Sequence, residues 1–275
     1  MKIKLLVICC CVTLMRFRLK RGYPWELRRI TALCRDDIAG VMLTDLCQSD
    51  FAAWRDRRLG VVSVGTVLRE MNLLNHALNI SVKEWRWMTE NPLSGVKRPQ
   101  QPQARDRLMS DGEVTRLLFA LGYDHEIELK TCSSRVGAAL IFAIETAMRV
   151  SEMTRLTWDR VNLVKRTAQL IETKNGSKRD VPLSSEAARI LKQLKSDSDS
   201  VFNLEPSQID SLFRKAKKMA LIEDLHFHDS RHTAITRLAG KLDVLALARM
   251  VGHKDLRMLQ IYYNESAEDM AKRLD

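Results

Sequence analysis

The segment 91–107 restricts the fold of this chain more than any other feature of the sequence. It reads NPLSGVKRPQQPQARDR and holds three of the six prolines, with Gln, Arg and Lys between them. Proline lacks a backbone N–H, and the segment has no apolar repeat that a helix or strand could bury. We therefore predict a linker at 99–107, which separates an N-terminal block ending at residue 98 from a C-terminal block over 108–275.

The N-terminal block, over 21–98, has the apolar spacing of helices. Ser49 can cap a helix over DFAAWRDRRL, and Gly60 can end it. From Thr66 onward, apolar residues recur every three or four positions and so share one face of a second helix. These residues are Val67, Met71, Leu74 and Leu78. Arg and Lys cover the polar faces, which fits either a solvated surface or contact with a DNA backbone.

The first twenty residues are unusually apolar and rich in cysteine. The run MKIKLLVICCCVTLM is shorter than the roughly 20 residues that a membrane-spanning helix needs, and basic residues follow it without a signal-type cleavage site. We expect no membrane anchor and treat 1–20 as an atypical N-terminus. The six cysteines include no pair with metal-finger spacing, so we predict no metal site and a reducing, cytoplasmic location.

The C-terminal block mixes helices with one hairpin. An apolar helical stripe from Val136 to Met148 ends at Arg149, and Ser151 can cap a helix through EMTRLTW. The stretch QLIETKNGSKRDVPL predicts a hairpin around the turn Asn175-Gly176. Further helices are predicted at 184–195, 207–220, 229–239, 243–251 and 256–263, with Gly252 ending the fourth. The predicted fold class is mainly α with a small β-sheet (α+β).

The charge balance favours a polyanionic partner. Lys and Arg outnumber Asp and Glu by 45 to 34, which gives a formal charge of +11 and a pI of about 9.5. Each phosphate that a basic side chain neutralises releases counterions, so nucleic acid is the simplest such partner. The helix at 207–220 carries four adjacent basic residues, and they fit either DNA contact or a solvated face. They are Arg214, Lys215, Lys217 and Lys218.

Several polar residues of the C-terminal block stand at helix ends or turns, where packing does not require them. In chain order they are Arg149 with Glu152, Lys174 beside the hairpin tip, His228 with Arg231, the pair Gly252-His253, and Tyr262. Each has an ordinary explanation when it is taken singly, such as a surface charge or a packing ring. His228 and Arg231 are three residues apart, so a helix beginning there places both on one face.

Together these residues resemble the tyrosine recombinase (phage integrase) family. The matching stretches are ETAMRVSEMTRLTW, ETKNGSKRDVPLS, LHFHDSRHTAITRLA and MVGHKDLRMLQIYYN. Prophage integrases and shufflon-type recombinases are the most similar members. The resemblance implies a helical core-type DNA-binding domain at 21–98, shorter than the family's full set of helices, and a catalytic domain at 108–275. Two positions depart from the pattern: Ala147 replaces a frequent Gly, and Ser230 replaces a usual Leu.

The resemblance also implies a role for each residue of the set. Arg149 and Arg231 would hold the non-bridging oxygens of the DNA phosphate, where negative charge builds in the transition state. Lys174 would be the general acid for the leaving 5′-oxygen, and His228 would assist proton transfer at the tyrosine. His253 would donate a hydrogen bond to the phosphate, and Glu152 would orient its neighbours.

The nucleophile implied by the resemblance is Tyr262. In the family the tyrosine lies nine residues past the histidine of the Gly-His pair, and the same count from His253 reaches Tyr262. Tyr263 points roughly 100° away around the same helix, as a packing residue would. Attack by Tyr262 would leave a 3′-phosphotyrosyl link and a free 5′-hydroxyl, and would need no cofactor.

The resemblance implies a site-specific DNA recombinase for prophage integration, excision or inversion. Its partners would be a double-stranded core site with inverted repeats, three further copies of the chain in a synaptic homotetramer, and accessory DNA-bending or directionality proteins. Two alternatives stay open. The chain could be an inactive or truncated DNA-binding remnant, or it could resemble a type IB topoisomerase, which uses the same chemistry as a monomer.

Overall fold

The computed structural model describes residues 23–103, 105–171, 178–194, 198–253 and 255–263. Contacts divide the chain into two compact units, with the boundary between residues 104 and 105. That boundary falls inside the segment 99–107. Within the described ranges, separate hydrophobic clusters fill the two units. Among the described residues, no helix is both long and apolar enough to cross a membrane.

The first unit is built from helices α1 (Tyr23–Leu33), α2 (Gln48–Leu59) and α3 (Val64–Lys83), with a 3₁₀ turn at Asp37–Gly40. The start of α2 corrects the prediction of a cap at Ser49. Cys47 is the N-cap, and its backbone N–H donates to the Asp50 carboxylate at 2.9 Å. An acidic residue three positions after the cap closes a capping box, so the helix begins before Ser49.

The core of the first unit confirms the apolar face predicted for α3. Val67, Met71, Leu74 and Leu78 are all buried there. The segment after α3 also contributes, because Leu93 and Val96 are buried although the composition of 91–107 suggested nothing to bury. The Asn91 amide fixes this turn by donating to the side-chain oxygens of Asn75 and Asn79, each at 2.8 Å.

The second unit combines helices with a three-stranded antiparallel sheet, which confirms the predicted fold class. Its helices are α4 (Asp111–Leu121), α5 (Cys132–Thr146), α6 (Val150–Met153), α7 (Ser185–Gln193), α8 (Pro206–Met219), α9 (Asp229–Ala239), α10 (Val244–Val251) and α11 (Arg257–Gln260). Its strands are β1 (Val161–Asn162), β2 (Thr167–Leu170) and β3 (Arg179–Pro182), in that spatial order. A 3₁₀ turn at Trp158–Arg160 precedes β1.

Helix α5 lies at the centre of the second unit and packs against α4, α7, α8 and α9. It ends at Thr146, earlier than the predicted end at Arg149, because Ala147 adopts a left-handed conformation with φ 53°. Arg149 then caps α6, so the prediction of a cap at Ser151 is wrong. The Glu152 carboxylate accepts the Arg149 backbone N–H at 2.9 Å and thereby starts the new helix.

The predicted hairpin is present as the pairing of β2 with β3, in which Ala168 faces Val181. Its turn, Asn175-Gly176, lies outside the described residues. Two predicted helix boundaries are confirmed: Ser184 caps α7, and Gly252 ends α10 with φ 72°. Helix α11 is shorter than the predicted 256–263, since it ends at Gln260.

Candidate active site

Helix starts and ends in the second unit bring together five of the predicted site residues: Arg149, Glu152, Arg231, His253 and Tyr262. Arg149 caps α6 and Glu152 lies within it, and α6 begins directly after the left-handed end of α5. Arg231 lies in the first turn of α9, and His253 follows the left-handed stop of α10. The hydrogen bonds and charge interactions described below connect them. Lys174 lies outside the described residues.

Arg149 and Glu152 form a partly buried ion pair. The Arg149 guanidinium donates from Nη1 to Glu152 Oε1 at 2.9 Å, while its backbone N–H donates to Oε2. The Glu152 side chain is 2% exposed. Burial by itself would raise the pKa of the Glu152 carboxyl, but hydrogen bonds from Arg179 and from the Arg149 backbone hold that pKa below its ordinary value. Glu152 is therefore ionised at neutral pH.

Arg179, on β3, is a third arginine of this cluster that the sequence analysis missed. It donates from Nη1 to Glu152 Oε1 at 3.0 Å and from Nη2 to Oε2 at 2.8 Å, and its Nε donates to the Met250 carbonyl at 2.9 Å. Its side chain is 7% exposed. The sequence carried no clear signal for it, because an arginine at the start of a mostly exposed strand is ordinarily a surface residue.

Arg231 is almost fully buried, with 5% of the residue exposed. Main-chain carbonyls hold its guanidinium: Nη1 donates to Ala147 O, and Nη2 donates to Val251 O at 2.8 Å. Burial, followed by the charge of Arg149, lowers the pKa of Arg231 to about 9. The side chain therefore still carries its positive charge at neutral pH. The left-handed turn at Ala147 aims that residue's carbonyl at Arg231.

His253 lies beside Arg231, with its Nε2 3.3 Å from Arg231 Nη2. A guanidinium has no acceptor, so Nε2 accepts in this pair and the ring proton resides on Nδ1. Burial, followed by the charges of Arg231 and Arg149, lowers the pKa of His253 to about 4. The ring is neutral at physiological pH. Within the described part of the chain, the buried Nδ1 has no hydrogen-bond partner.

The two adjacent tyrosines have different environments. Tyr262 packs its ring against His232, with the ring centroids 5.2 Å apart. Burial raises the pKa of the Tyr262 phenol, and the nearby charge of Arg231 opposes that rise. Tyr263 instead donates its hydroxyl to the Leu242 carbonyl at 2.7 Å. The hydroxyl of Tyr263 is thus bonded to the backbone, while the phenol of Tyr262 interacts with the charge of Arg231.

His228 and His232 occupy the start of α9 on either side of Arg231. His228 is the N-cap residue, and its carbonyl accepts the Arg231 backbone N–H at 3.0 Å. His232, which the sequence analysis did not select, supplies the ring against Tyr262. Its Nδ1 is buried and, among the described residues, has no hydrogen-bond partner. No signal in the sequence pointed to His232, because the position of a residue on a helix does not show which distant residue will pack against it.

The buried carboxylate of Asp229 fixes the start of α9. Asp229 accepts from Nε and Nη2 of Arg105, both at 2.8 Å, and from the His226 backbone N–H at 2.8 Å. Burial would raise the pKa of Asp229, but the Arg105 hydrogen bonds hold it below its ordinary value. Arg105 thus joins the first residues of the second unit to the helix that carries Arg231.

The basic residues predicted on the helix at 207–220 lie on α8. Arg214, Lys215 and Lys218 are exposed, and Lys217 is partly exposed. Arg214 pairs with Asp210 at 3.2 Å. Among the residues that the structure describes, no group of three or more His, Cys, Asp or Glu side chains could hold a metal ion.

The arrangement is suited to binding and polarising a phosphate. Arg149 and Arg179 hydrogen-bond to the Glu152 carboxylate, and the charge of Arg231 interacts with it, so these four side chains together carry a net positive charge. Buried, fixed donors stabilise developing negative charge well because they need little rearrangement as that charge forms. The phenol of Tyr262 interacts with the charge of Arg231 in this cluster.

Residues 108–269 match the phage integrase family. A protein of Haemophilus influenzae named "Putative integrase/recombinase" is 45% identical over 261 residues, covering 92% of this chain and 70% of the relative. The shufflon-specific DNA recombinase of Escherichia coli is 34% identical, covering 93% of this chain and 67% of that protein.

The fold is similar to that of lambda integrase. In a crystal structure of a lambda integrase tetramer bound to a Holliday junction, the chain superimposes with a TM-score of 0.75 at 16% identity. The superposition covers 91% of this chain and 76% of the lambda chain.

Proposed function

This chain belongs to the phage integrase family and is a tyrosine site-specific recombinase, and we propose that Tyr262 is the residue that cuts and rejoins DNA. The Tyr262 oxygen attacks the scissile phosphorus, and the bond from phosphorus to the 5′-oxygen breaks. The products are a 3′-phosphotyrosyl link and a free 5′-hydroxyl. Because the link is an ester of similar energy to the bond broken, a 5′-hydroxyl can reverse the step without a cofactor.

The observation that carries this proposal is the position of Tyr262 within reach of the charge of Arg231, while the hydroxyl of Tyr263 donates to Leu242. Arg149 and Arg231 bind the two non-bridging oxygens of the phosphate. Arg231 is held by Ala147 and Val251, and so presents its charge without rearrangement.

Proton transfers complete the step. The phenol proton leaves with assistance from His228, and Lys174 supplies a proton to the departing 5′-oxygen. His253 lies against Arg231 through Nε2 and donates a hydrogen bond to the phosphate. Glu152 orients Arg149, to which it is bound at 2.9 Å.

We further propose that the chain acts on a double-stranded core site with inverted repeats and assembles as a homotetramer when two sites meet. The lambda integrase tetramer on a Holliday junction supports this assembly by its shared fold. Residues 21–98 would be the core-type DNA-binding domain, and Arg214, Lys215, Lys217 and Lys218 on α8 would add backbone contacts. The reaction would be prophage integration and excision or, as the shufflon relative suggests, inversion, in the cytoplasm and with accessory proteins.

The test is a suicide substrate with a nick next to the scissile phosphate, placed in an inverted-repeat core site from DNA flanking the coding sequence. Wild type, Tyr262→Phe and Tyr263→Phe are each incubated with it, and covalent protein–DNA complexes are separated on a denaturing gel. We expect the complex with wild type and Tyr263→Phe and none with Tyr262→Phe.

Other outcomes distinguish the alternatives. Binding of the site by wild type with no covalent band would identify a DNA-binding remnant. Relaxation of a supercoiled plasmid that lacks any core site would identify an enzyme of the type IB topoisomerase kind. Loss of the band in Tyr263→Phe instead of Tyr262→Phe would move the nucleophile by one residue.

A further inference from the structure

We propose that Arg179 is a positioning residue of the cleavage reaction: it occupies Glu152 so that the guanidinium of Arg149 stays available to the scissile phosphate. The inference rests on the proposed function. Arg179 itself would not touch DNA in this role, and its effect would reach the phosphate through Glu152 and Arg149.

The contact between Arg179 and Glu152 is a two-pronged pair inside the protein. Nη1 and Nη2 of Arg179 face Oε1 and Oε2 of Glu152 at 3.0 and 2.8 Å. Both side chains are nearly inaccessible, with 7% and 2% exposed. A planar guanidinium fits a carboxylate in this way better than any other side chain, and the fit fixes the plane of the carboxylate.

This pair determines how many guanidinium nitrogens of Arg149 bond to the Glu152 carboxylate. Arg149 gives Glu152 one guanidinium nitrogen, Nη1, while the Oε2 side is filled by Arg179 and by the Arg149 backbone N–H. Arg149 therefore makes a one-nitrogen contact, which leaves other N–H groups of its fork for a phosphate. Without Arg179, the buried carboxylate would have lost a cation, and it would draw the Arg149 guanidinium into a two-pronged pair of its own.

Arg179 also connects this pair to the turn that carries His253. Its Nε donates to the Met250 carbonyl at 2.9 Å, one residue before the Val251 carbonyl that holds Arg231. A Cβ at Gly252 would lie 3.0 Å from Arg179 Nη1, so the backbone of this turn closely approaches the arginine. One side chain on β3 thus links Glu152 to the end of α10.

A simpler role for Arg179 would be to stabilise the fold as a buried ion pair, without effect on the chemistry. The two roles differ in what they predict for substrate charge. If Arg179 keeps Arg149 available to neutralise the phosphate, its loss matters most when the phosphate is charged. A merely structural defect would slow the reaction of a charged and an uncharged phosphate alike.

The experiment measures single-turnover formation of the covalent complex on two suicide substrates, by the full-length chain. One has an ordinary scissile phosphate, and the other has a methylphosphonate, in which a methyl group replaces one charged oxygen. The variants are Arg179→Met, Arg179→Lys and, as the matched control, Arg189→Met. Arg189 makes a similar two-pronged pair with Glu186, at 2.8 and 2.7 Å, in the same unit.

We expect Arg179→Met to slow cleavage of the phosphate by about 10- to 100-fold, the usual range for groups that orient a functional residue, while core-site binding changes little. The deficit should shrink by roughly tenfold on the methylphosphonate, because less charge needs to be neutralised there. Arg179→Lys should recover part of the rate, since an ammonium cannot form the fork. Arg189→Met should cleave both substrates like wild type.

A double substitution tests whether Arg179 acts through Glu152, and it separates this effect from misfolding of Arg179→Met. In a Glu152→Gln background, adding Arg179→Met should cost much less than it does in wild type, because the carboxylate that Arg179 occupies is already gone. Equal deficits on both substrates, additive losses in the double variant, or wild-type rates in Arg179→Met would each overturn the proposal. Absence of a covalent band with the wild-type chain, or its persistence in Tyr262→Phe, would instead refute the proposed function.

Discussion

At the scale of single residues, the environment of Tyr262 is defined by two neighbours of different kinds. Arg231 supplies charge, and His232 supplies a ring surface with its centroid 5.2 Å away. The backbone fixes Arg231 through Ala147 and Val251. The packing of this imidazole therefore contributes to the orientation of the phenol, together with the apolar cluster against which Tyr262 also lies.

Substitution of His232 tests whether this ring acts by packing. We expect His232→Ala to slow covalent complex formation by about 3- to 10-fold, the rate equivalent of the 0.5–1.5 kcal/mol that aromatic pairs contribute. His232→Phe should retain most of the rate, because a phenyl ring packs in the same place. Single-turnover cleavage of the suicide substrate measures both. If the Phe variant is as slow as the Ala variant, an imidazole nitrogen is required, and packing does not explain the contact.

The lowered pKa of His253, about 4, has a consequence for stability. The folded chain keeps the ring neutral, whereas the unfolded chain binds a proton below about pH 6.5. The stabilising contribution of His253 is therefore complete above pH 6.5 and is lost as pH falls toward 4. We expect wild type to lose more unfolding free energy between pH 7 and pH 5 than His253→Phe does. The difference should be on the order of 1 kcal/mol, reduced because the ring is partly exposed to solvent.

Urea unfolding of both proteins at the two pH values measures this difference. Other titrating groups contribute equally to wild type and variant, so the comparison isolates the ring. Parallel losses of stability in the two proteins would show that His253 is not held neutral by burial and by the neighbouring arginines.

At the scale of elements, the site is assembled where helices stop. Ala147 ends α5 and Gly252 ends α10, both in left-handed conformations, with φ 53° and 72°. The residues that follow, Arg149 and His253, owe their positions to these reversals. Glycine is favoured at position 252 for two reasons. Its positive φ favours glycine, and Arg179 lies where a Cβ would be in close contact.

Replacing Gly252 with Ala should lower the unfolding free energy by about 1–2 kcal/mol, the usual cost of a left-handed residue with a Cβ. The added methyl would also push on Arg179, so cleavage should slow as well. Gly240→Ala is the matched control, since Gly240 ends α9 with an ordinary φ of −73° and its Cβ would meet nothing closer than 3.7 Å. Thermal unfolding and suicide-substrate cleavage of the two variants give the comparison. Equal effects at both positions would contradict this account of Gly252.

Helices and their buried faces could be predicted from the sequence, and so could the turn at Gly252. Apolar spacing located α3 and α5 because burial depends on the side chains of one segment. The end of α5 was predicted three residues late, at Arg149 instead of Thr146, because Ala147 is not a residue type that marks a left-handed stop. Arg179 and His232 were missed because their importance depends on what faces them from elements distant in sequence, namely Glu152 on α6 and Tyr262 after α11.

At the scale of the whole molecule, the two units have separate hydrophobic cores, and the second begins at Arg105. A fragment over 105–275 should therefore fold without the first unit. A fragment over 108–275, which starts where the family match starts, would leave the buried Asp229 carboxylate without Arg105. We expect the shorter fragment to unfold at a temperature lower by several degrees, because an unpaired buried charge is costly.

Differential scanning calorimetry of the two fragments at pH 7 measures this effect. Arg105→Gln in the longer fragment separates loss of the arginine from loss of two neighbouring residues. If the longer fragment with Arg105→Gln has the same melting temperature as the longer fragment without it, the ion pair of Arg105 with Asp229 does not stabilise α9.

The net charge of +11 should make DNA affinity depend steeply on salt. If α8 contacts the DNA backbone, Lys215→Gln and Lys218→Gln should each reduce the slope of log affinity against log salt by about 1. Lys192→Gln, at an exposed position of α7, is the control and should leave the slope unchanged. Filter binding over a series of salt concentrations measures the slopes. Identical slopes for all four proteins would remove α8 from the DNA contact surface.

The hydrogen bonds from Arg231 to main-chain carbonyls affect how this sequence can change during evolution. Two of the acceptors that orient the guanidinium are the carbonyls of Ala147 and Val251, and every amino acid provides a carbonyl. Substitution at either position can leave the acceptor in place, provided that the new residue tolerates the local backbone conformation. Mutational drift can therefore alter the neighbours of this arginine while selection retains the arginine itself, a tolerance that an orientation built from side chains would not have.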